Sequence, residues 1–139
     1  MARKPASRTV AQADWERKRD DWLVKLRDLM DSIKSWAEQR RWFVDEQEKT
    51  IEEDRVGRYT VPTLFIQAPS GKIHVEPIGC DILGAQGRVD IESFPTLNRL
   101  LLILVKGSWK IKTDSGIDWP EHWSEQSFVN LVNTLTSAA

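Results

Sequence analysis

The amino-acid sequence predicts an α+β fold: a mainly antiparallel sheet of five or six strands, flanked by a long N-terminal amphipathic helix and a C-terminal helix. Three observations lead there. Apolar residues recur at helical spacing from Trp15 to Trp36, period-two alternation dominates the middle of the chain, and a second helical stripe of Phe128, Leu131, Val132 and Leu135 closes it. Each such element has one apolar side to bury, and helices laid on a sheet bury both kinds together.

Residues 1–8 hold Arg3, Lys4 and Arg8 among Ala, Pro and Ser. They have too little apolar surface to offset ordering entropy, so a flexible basic tail is predicted there and one domain over residues 9–139. Thr9 and Gln12 have the spacing of a capping box, and Asp14 is a second candidate N-cap. The helix that follows carries Trp15, Trp22, Leu26, Leu29, Ile33 and Trp36 on one stripe, widened by Leu23, Met30 and Ala37. Continued to Asp54 it would be about 60 Å long, roughly twice the width of a domain this small. It is therefore predicted to end near Arg40, with residues 41–49 forming a polar edge strand led by Trp42 and Val44.

Residues 59–67 and 72–78, joined by Ala68-Pro69-Ser70-Gly71, read as a β-hairpin in which Ile73 and Val75 oppose Lys72, His74 and Glu76. Gly79, Gly84 and Gly87 punctuate a loop. Residues 88–94 resume a strand, with Val89 and Ile91 opposite Arg88, Asp90 and Glu92, and Pro95 ends it. Residues 100–105 are apolar at every position, which predicts a strand at the sheet centre covered on both faces. Lys106-Gly107-Ser108 then turns the chain into residues 109–113, and Ser124 can cap the final helix beyond the loop 114–123.

Composition narrows the function classes. Twenty basic residues against twenty-one acidic ones leave a net charge of −1 over 139 residues, so no global field favours nucleic acid or an anionic membrane. The single cysteine, Cys80, excludes an intrachain disulfide, and with two histidines it cannot complete a Cys/His four-ligand zinc site. A reducing, cytoplasmic setting is expected. No run approaches the roughly eighteen apolar residues of a membrane span, so no membrane partner is expected either.

Asp90 and Glu92 stand two apart on a predicted strand, which turns both carboxylates to one side, with Glu76 as a further acid and Lys106 ending the apolar run. Converging carboxylates can hold a divalent metal, and a lysine beside them can stabilise developing charge. The segment Gly87-Arg88-Val89-Asp90-Ile91 followed by the apolar run to Lys106 resembles the core of the PD-(D/E)xK nuclease superfamily, over residues 87–107 alone. That resemblance implies Asp90 as a magnesium ligand, Lys106 as the catalytic lysine and nucleic acid as the substrate. Leu104 stands where the family has its acid. Either Glu92 or Glu76 replaces it, or the fold is kept without cleavage, or the likeness is fortuitous. Read from the residues alone, the same alternation describes a solvated sheet face with cross-strand pairs such as Glu92 with Lys110 or Lys112.

Two further groups carry chemistry. His74, Glu76, Cys80 and Asp81 offer metal-ligating atoms within a short stretch, although a lone His and Cys more often pack. Of the seven tryptophans, Trp15, Trp22 and Trp36 follow the helix stripe and Trp109 suits a buried strand position, while Trp119 and Trp123 fall in a loop. There they form either a binding surface or a cover over the open end of the core. Arg17-Lys18-Arg19 and Arg40-Arg41-Trp42 are basic, but Asp14, Glu16, Asp20 and Asp21 surround the first group and suit a solvated helix face.

The expectation is a non-catalytic macromolecular interaction domain with a protein partner and no cofactor, because no complete catalytic set is present. Trp119 and Trp123 are its candidate binding residues. The alternative is a metal-dependent nuclease, or a degenerate relative that binds nucleic acid, in which Asp90, Glu92 and Glu76 hold magnesium and Lys106 assists. Self-assembly through the first helix is a third reading, and it requires the stripe from Trp22 to Trp36 to stay uncovered.

Overall fold

The computed structural model describes residues 9–137; the predicted basic tail, residues 1–8, lies outside them. Helix α1 spans Val10–Gln39, strands β1 to β6 span Phe43–Glu53, Gly57–Ala68, Gly71–Gly79, Gly87–Phe94, Arg99–Val105 and Ser108–Thr113, and helix α2 spans Glu125–Thr136. Every neighbouring pair of strands is antiparallel and the sheet order is β1-β2-β3-β4-β5-β6. The fold class, the two helices and the hairpins therefore stand as predicted.

Both caps form as the sequence proposes. Thr9 and Gln12 make a reciprocal capping box on α1, and Ser124 with Ser127 makes one on α2. At the other end of α1, the Trp42 N–H donates to the Ala37 carbonyl and the Arg41 N–H to that of Glu38, a Schellman closure with Arg41 at φ 62°. Glycine is the residue that adopts this conformation without a Cβ penalty. Arg41→Gly is accordingly expected to raise stability by about 0.5–1 kcal/mol, read as a higher urea midpoint at unchanged slope. Trp42, turned by this closure, packs its ring 6.2 Å from Phe128.

Both helices lie on one face of the sheet. Trp22 of α1 sits on Gly87 of β4, and the Leu135 carbonyl of α2 accepts from Ser93 Oγ, Thr96 Oγ1 and Asn98 Nδ2 at 2.8, 2.7 and 2.9 Å. These side-chain donors satisfy a carbonyl that the helix end leaves without an intrahelical partner. Gly87 and Ser93 share the strand parity of Val89 and Ile91, so this is the core side. Trp22, Leu26, Leu29, Met30, Ile33 and Ala37 are all buried there. Self-assembly through an uncovered α1 stripe is thereby excluded.

One strand departs from expectation. Residues 100–105 belong to β5, which is fifth in order with only β6 beyond it, and not at the sheet centre. Leu100, Leu102 and Leu104 face the core, while Leu101 and Ile103 lie on the opposite face. Their register partners there are Asp90 and Arg88 on β4 and Lys112 and Lys110 on β6. Alkyl stems of long polar side chains shield these apolar residues, where the sequence suggested a second layer.

The first hairpin also changes face. β2 pairs with β3 only as far as Leu64, whereas β1 and β2 continue together to Glu53 and Gly57. Burial switches phase at that point, from Leu64, Ile66 and Ala68 to Thr63, Val61 and Tyr59. A two-stranded ribbon twists more than a wider sheet, and here the twist turns the hairpin tip onto the segment around Cys80.

Candidate functional site

The face of the sheet away from the helices is the candidate surface, and the strand register arranges it in rows. One row runs Phe43, Gln67, Lys72, Phe94 and the next Asp45, Phe65, His74, Glu92, Arg99. A third passes Glu76, Asp90, Leu101 and Lys112. Asp90 and Glu92 thus lie on one face, as the sequence predicts, and the register brings Glu76 to the same face.

Two of these carboxylates, those of Asp90 and Glu76, are already engaged. Arg88 donates to both oxygens of Asp90 at 2.8 and 3.1 Å and Arg99 stands 3.7 Å away, while Glu76 pairs with Lys49 at 3.2 Å. Among the described residues, no group of three or more His, Cys, Asp or Glu side chains is disposed to hold a metal ion. Lys106 is elsewhere. It occupies the first position of the β5–β6 turn at φ 50°, five residues beyond Leu101, the partner of Asp90. At about 3.4 Å per residue that is roughly 17 Å along the strand. Asp90 and Lys106 therefore do not share a site, and the separation withdraws the geometric support for pairing them as catalytic residues. Asp90→Ala is expected to cost about 2 kcal/mol, since it removes a buried acceptor of charged hydrogen bonds, with urea denaturation as the check.

The other sequence candidates also separate. The Thr63 hydroxyl donates to the Val75 carbonyl at 3.0 Å and so accepts from His74 Nε2 at 2.8 Å. Burial holds the His74 pKa below its ordinary value, against the raising influence of Glu76. Cys80 is fully buried, beside Glu53 and Tyr59, and burial followed by the Glu53 charge pushes its thiol up to about 11. A thiol so placed is a poor nucleophile. Asp81 pairs with Arg55. Three members of the basic groups are paired, Arg17 with Asp14, Arg19 with Asp20 and Arg40 with Glu125, and Lys18 lies over the Trp15 ring.

Trp119 and Trp123 cover the core. Trp123 meets Trp36 at a tilt and Phe128 edge-on, with centroids 5.6 and 6.1 Å apart, and Trp119 packs on the core as its backbone N–H donates to the Ile111 carbonyl on the outer edge of β6. The proposed tryptophan binding loop is thus a lid on the open end of the sheet.

The exposed aromatics lie in a corner formed by β1, β2 and β4. Phe43, Phe65 and Phe94 are 69%, 40% and 37% exposed, on a face otherwise polar apart from the β5 residues. With Lys72, Gln67 and Asp45 they line a cavity of about 310 Å³. Phe65 stacks on His74, centroids 4.2 Å apart and planes within 8°. The Thr63 hydrogen bond fixes the imidazole and the imidazole fixes Phe65, which preorganises that part of the corner. Sequence reading missed it because its members come from three strands. Comparison of the chain with family models, with curated proteins and with solved structures finds no match in any of the three.

Proposed function

We propose that the chain is a non-catalytic interaction domain that docks a protein partner at the corner of Phe43, Phe65 and Phe94. The observation that carries this reading is the cluster of three exposed phenylalanines on the uncovered sheet face. Exposed apolar rings gathered around one cavity offer a surface that a partner can cover. The paired carboxylates, the separation of Asp90 from Lys106 and the buried Cys80 thiol all weigh against catalysis.

Stacked aromatic rings on an antiparallel sheet also suit unpaired nucleic-acid bases. Charge argues against that reading here. Lys49, Arg88, Arg99 and Lys112 are spent on carboxylates of their own chain, and phosphate binding draws on several available cations. No helix is long and apolar enough to cross a membrane among the described residues.

A photo-crosslinking residue placed at Phe94, in cells that make the protein, is expected to give a discrete protein adduct that the same residue at Glu38 on the exposed side of α1 does not. Adding Phe43→Ser should reduce the adduct about tenfold while leaving the thermal midpoint within about 2 °C. Equal labelling at both positions, or adducts to nucleic acid alone, would overturn the proposal.

A further inference from the structure

We propose that the free edge of β1 receives an extended basic segment of the protein partner as a seventh strand; this rests on the interaction reading above and specifies the chemistry of its partner. The sheet has two edges, and the chain treats them differently. Along β6, the Thr113 N–H donates to the Ile117 carbonyl at 2.8 Å and the Trp119 N–H to that of Ile111 at 2.9 Å, so residues 117–119 close the C-terminal half of that edge. Among the described residues, β1 pairs only with β2, and the isolated bridges lie elsewhere. Eleven residues of strand, about 37 Å at 3.4 Å per residue, thus keep one side of their backbone unpaired. Unpaired strand edges are templates for a further strand.

Charge decides which strand fits. Residues 43–54 contain Asp45, Glu46, Glu48, Glu52, Glu53 and Asp54 against Lys49 alone. Lys49 points back into its own sheet, to Glu76 and the Pro77 carbonyl. Glu46 meets Arg27 and Glu53 is used internally, but among the described residues no ion pair forms at Glu48, Glu52 or Asp54. Arg58 stands opposite Glu52 and makes no ion pair among the described residues. Glu46, Glu48 and Glu52 share one parity of β1, and Phe43 has the other. A segment laid along the edge would therefore set basic side chains on the glutamate side and an apolar one beside Phe43. A second copy of β1 would bring glutamates towards glutamates, which is destabilising. The acidic edge deters self-pairing and admits a cationic strand.

The test uses the whole protein with a decapeptide of alternating lysine and valine, and a glutamate–valine decapeptide as control. Amide hydrogen exchange followed by NMR is expected to show slower exchange across β1 with the lysine peptide and no change with the control. Binding should weaken as salt rises from about 0.1 to 0.5 M, and about tenfold in Glu48→Lys/Glu52→Lys, whose sites are exposed. Unchanged β1 amides with the lysine peptide, equal protection by the glutamate peptide, or concentration-dependent protection without peptide would each overturn strand addition. None of these bears on the aromatic corner, which stands or falls by the crosslinking at Phe94.

Discussion

Gly87→Ala is expected to cost about 3 kcal/mol, a large part of the 5–15 kcal/mol that holds a typical domain together. A β-carbon on Gly87 would fall 2.1 and 2.2 Å from two carbons of the Trp22 six-membered ring, far inside van der Waals contact. Neither partner can retreat easily. Gly87 pairs with Leu104 in the β4–β5 ladder, and the neighbouring Gln86 N–H donates to the Leu104 carbonyl at 2.7 Å. Trp22 is 1% exposed and packs 6.1 Å from Trp109. Chemical denaturation of Gly87→Ala, Trp22→Leu and the double variant forms a cycle that isolates this contact. Trp22→Leu alone should destabilise by about 2 kcal/mol through lost packing, yet combined with Gly87→Ala it should recover part of the glycine's cost. Strict additivity would show that the two residues do not meet.

This contact also shows where sequence reading stops. Trp22 was legible as a core residue from its helical stripe, and Gly87 as punctuation between segments, but nothing local joins them. Elements whose signals are local came through: both caps, the strand alternation and the Lys106-Gly107 turn. The length argument rules out a helix running on to Asp54 and so puts the end of α1 near Arg40, where it lies, although Arg41 hides the closure that glycine would advertise. The apolar run in β5 misled because a side chain shielded by arginine and lysine stems reads the same as one under a second layer. Trp119 and Trp123 misled for a related reason, since a loop can fold back as a lid. The aromatic corner left a faint trace: Phe94 shares the parity of Asp90 and Glu92, an aromatic on the polar side of its strand. Joining it to Phe43 and Phe65 required the register of four strands.

The second large effect is expected at Glu53, where the acidic β1 strand ends. Its carboxylate accepts the Tyr59 hydroxyl at 2.5 Å and the backbone N–H groups of Cys80 and Asp81 at 3.1 and 2.9 Å, tying the hairpin tip to the segment after β3. Gly79 leaves the space that the carboxylate fills. Glu53→Ala removes the acceptor from all three donors and should cost about 3 kcal/mol, whereas Glu53→Gln, which keeps one carbonyl oxygen, should cost about 1 kcal/mol. Cys80 supplies an independent readout. Its folded thiol is held near 11 against an ordinary 9.0, so the folded state keeps a proton that the unfolded chain releases. That contribution is complete below about pH 9 and is lost as the pH rises towards 11. In Glu53→Ala the opened tip should admit alkylating reagent, so Cys80 should label faster at neutral pH than in wild type. Equal labelling with undiminished stability would show that the carboxylate is not what fastens the tip. The aromatic corner lies at the opposite end of β1, so crosslinking at Phe94 should survive the substitution while strand addition along β1 weakens.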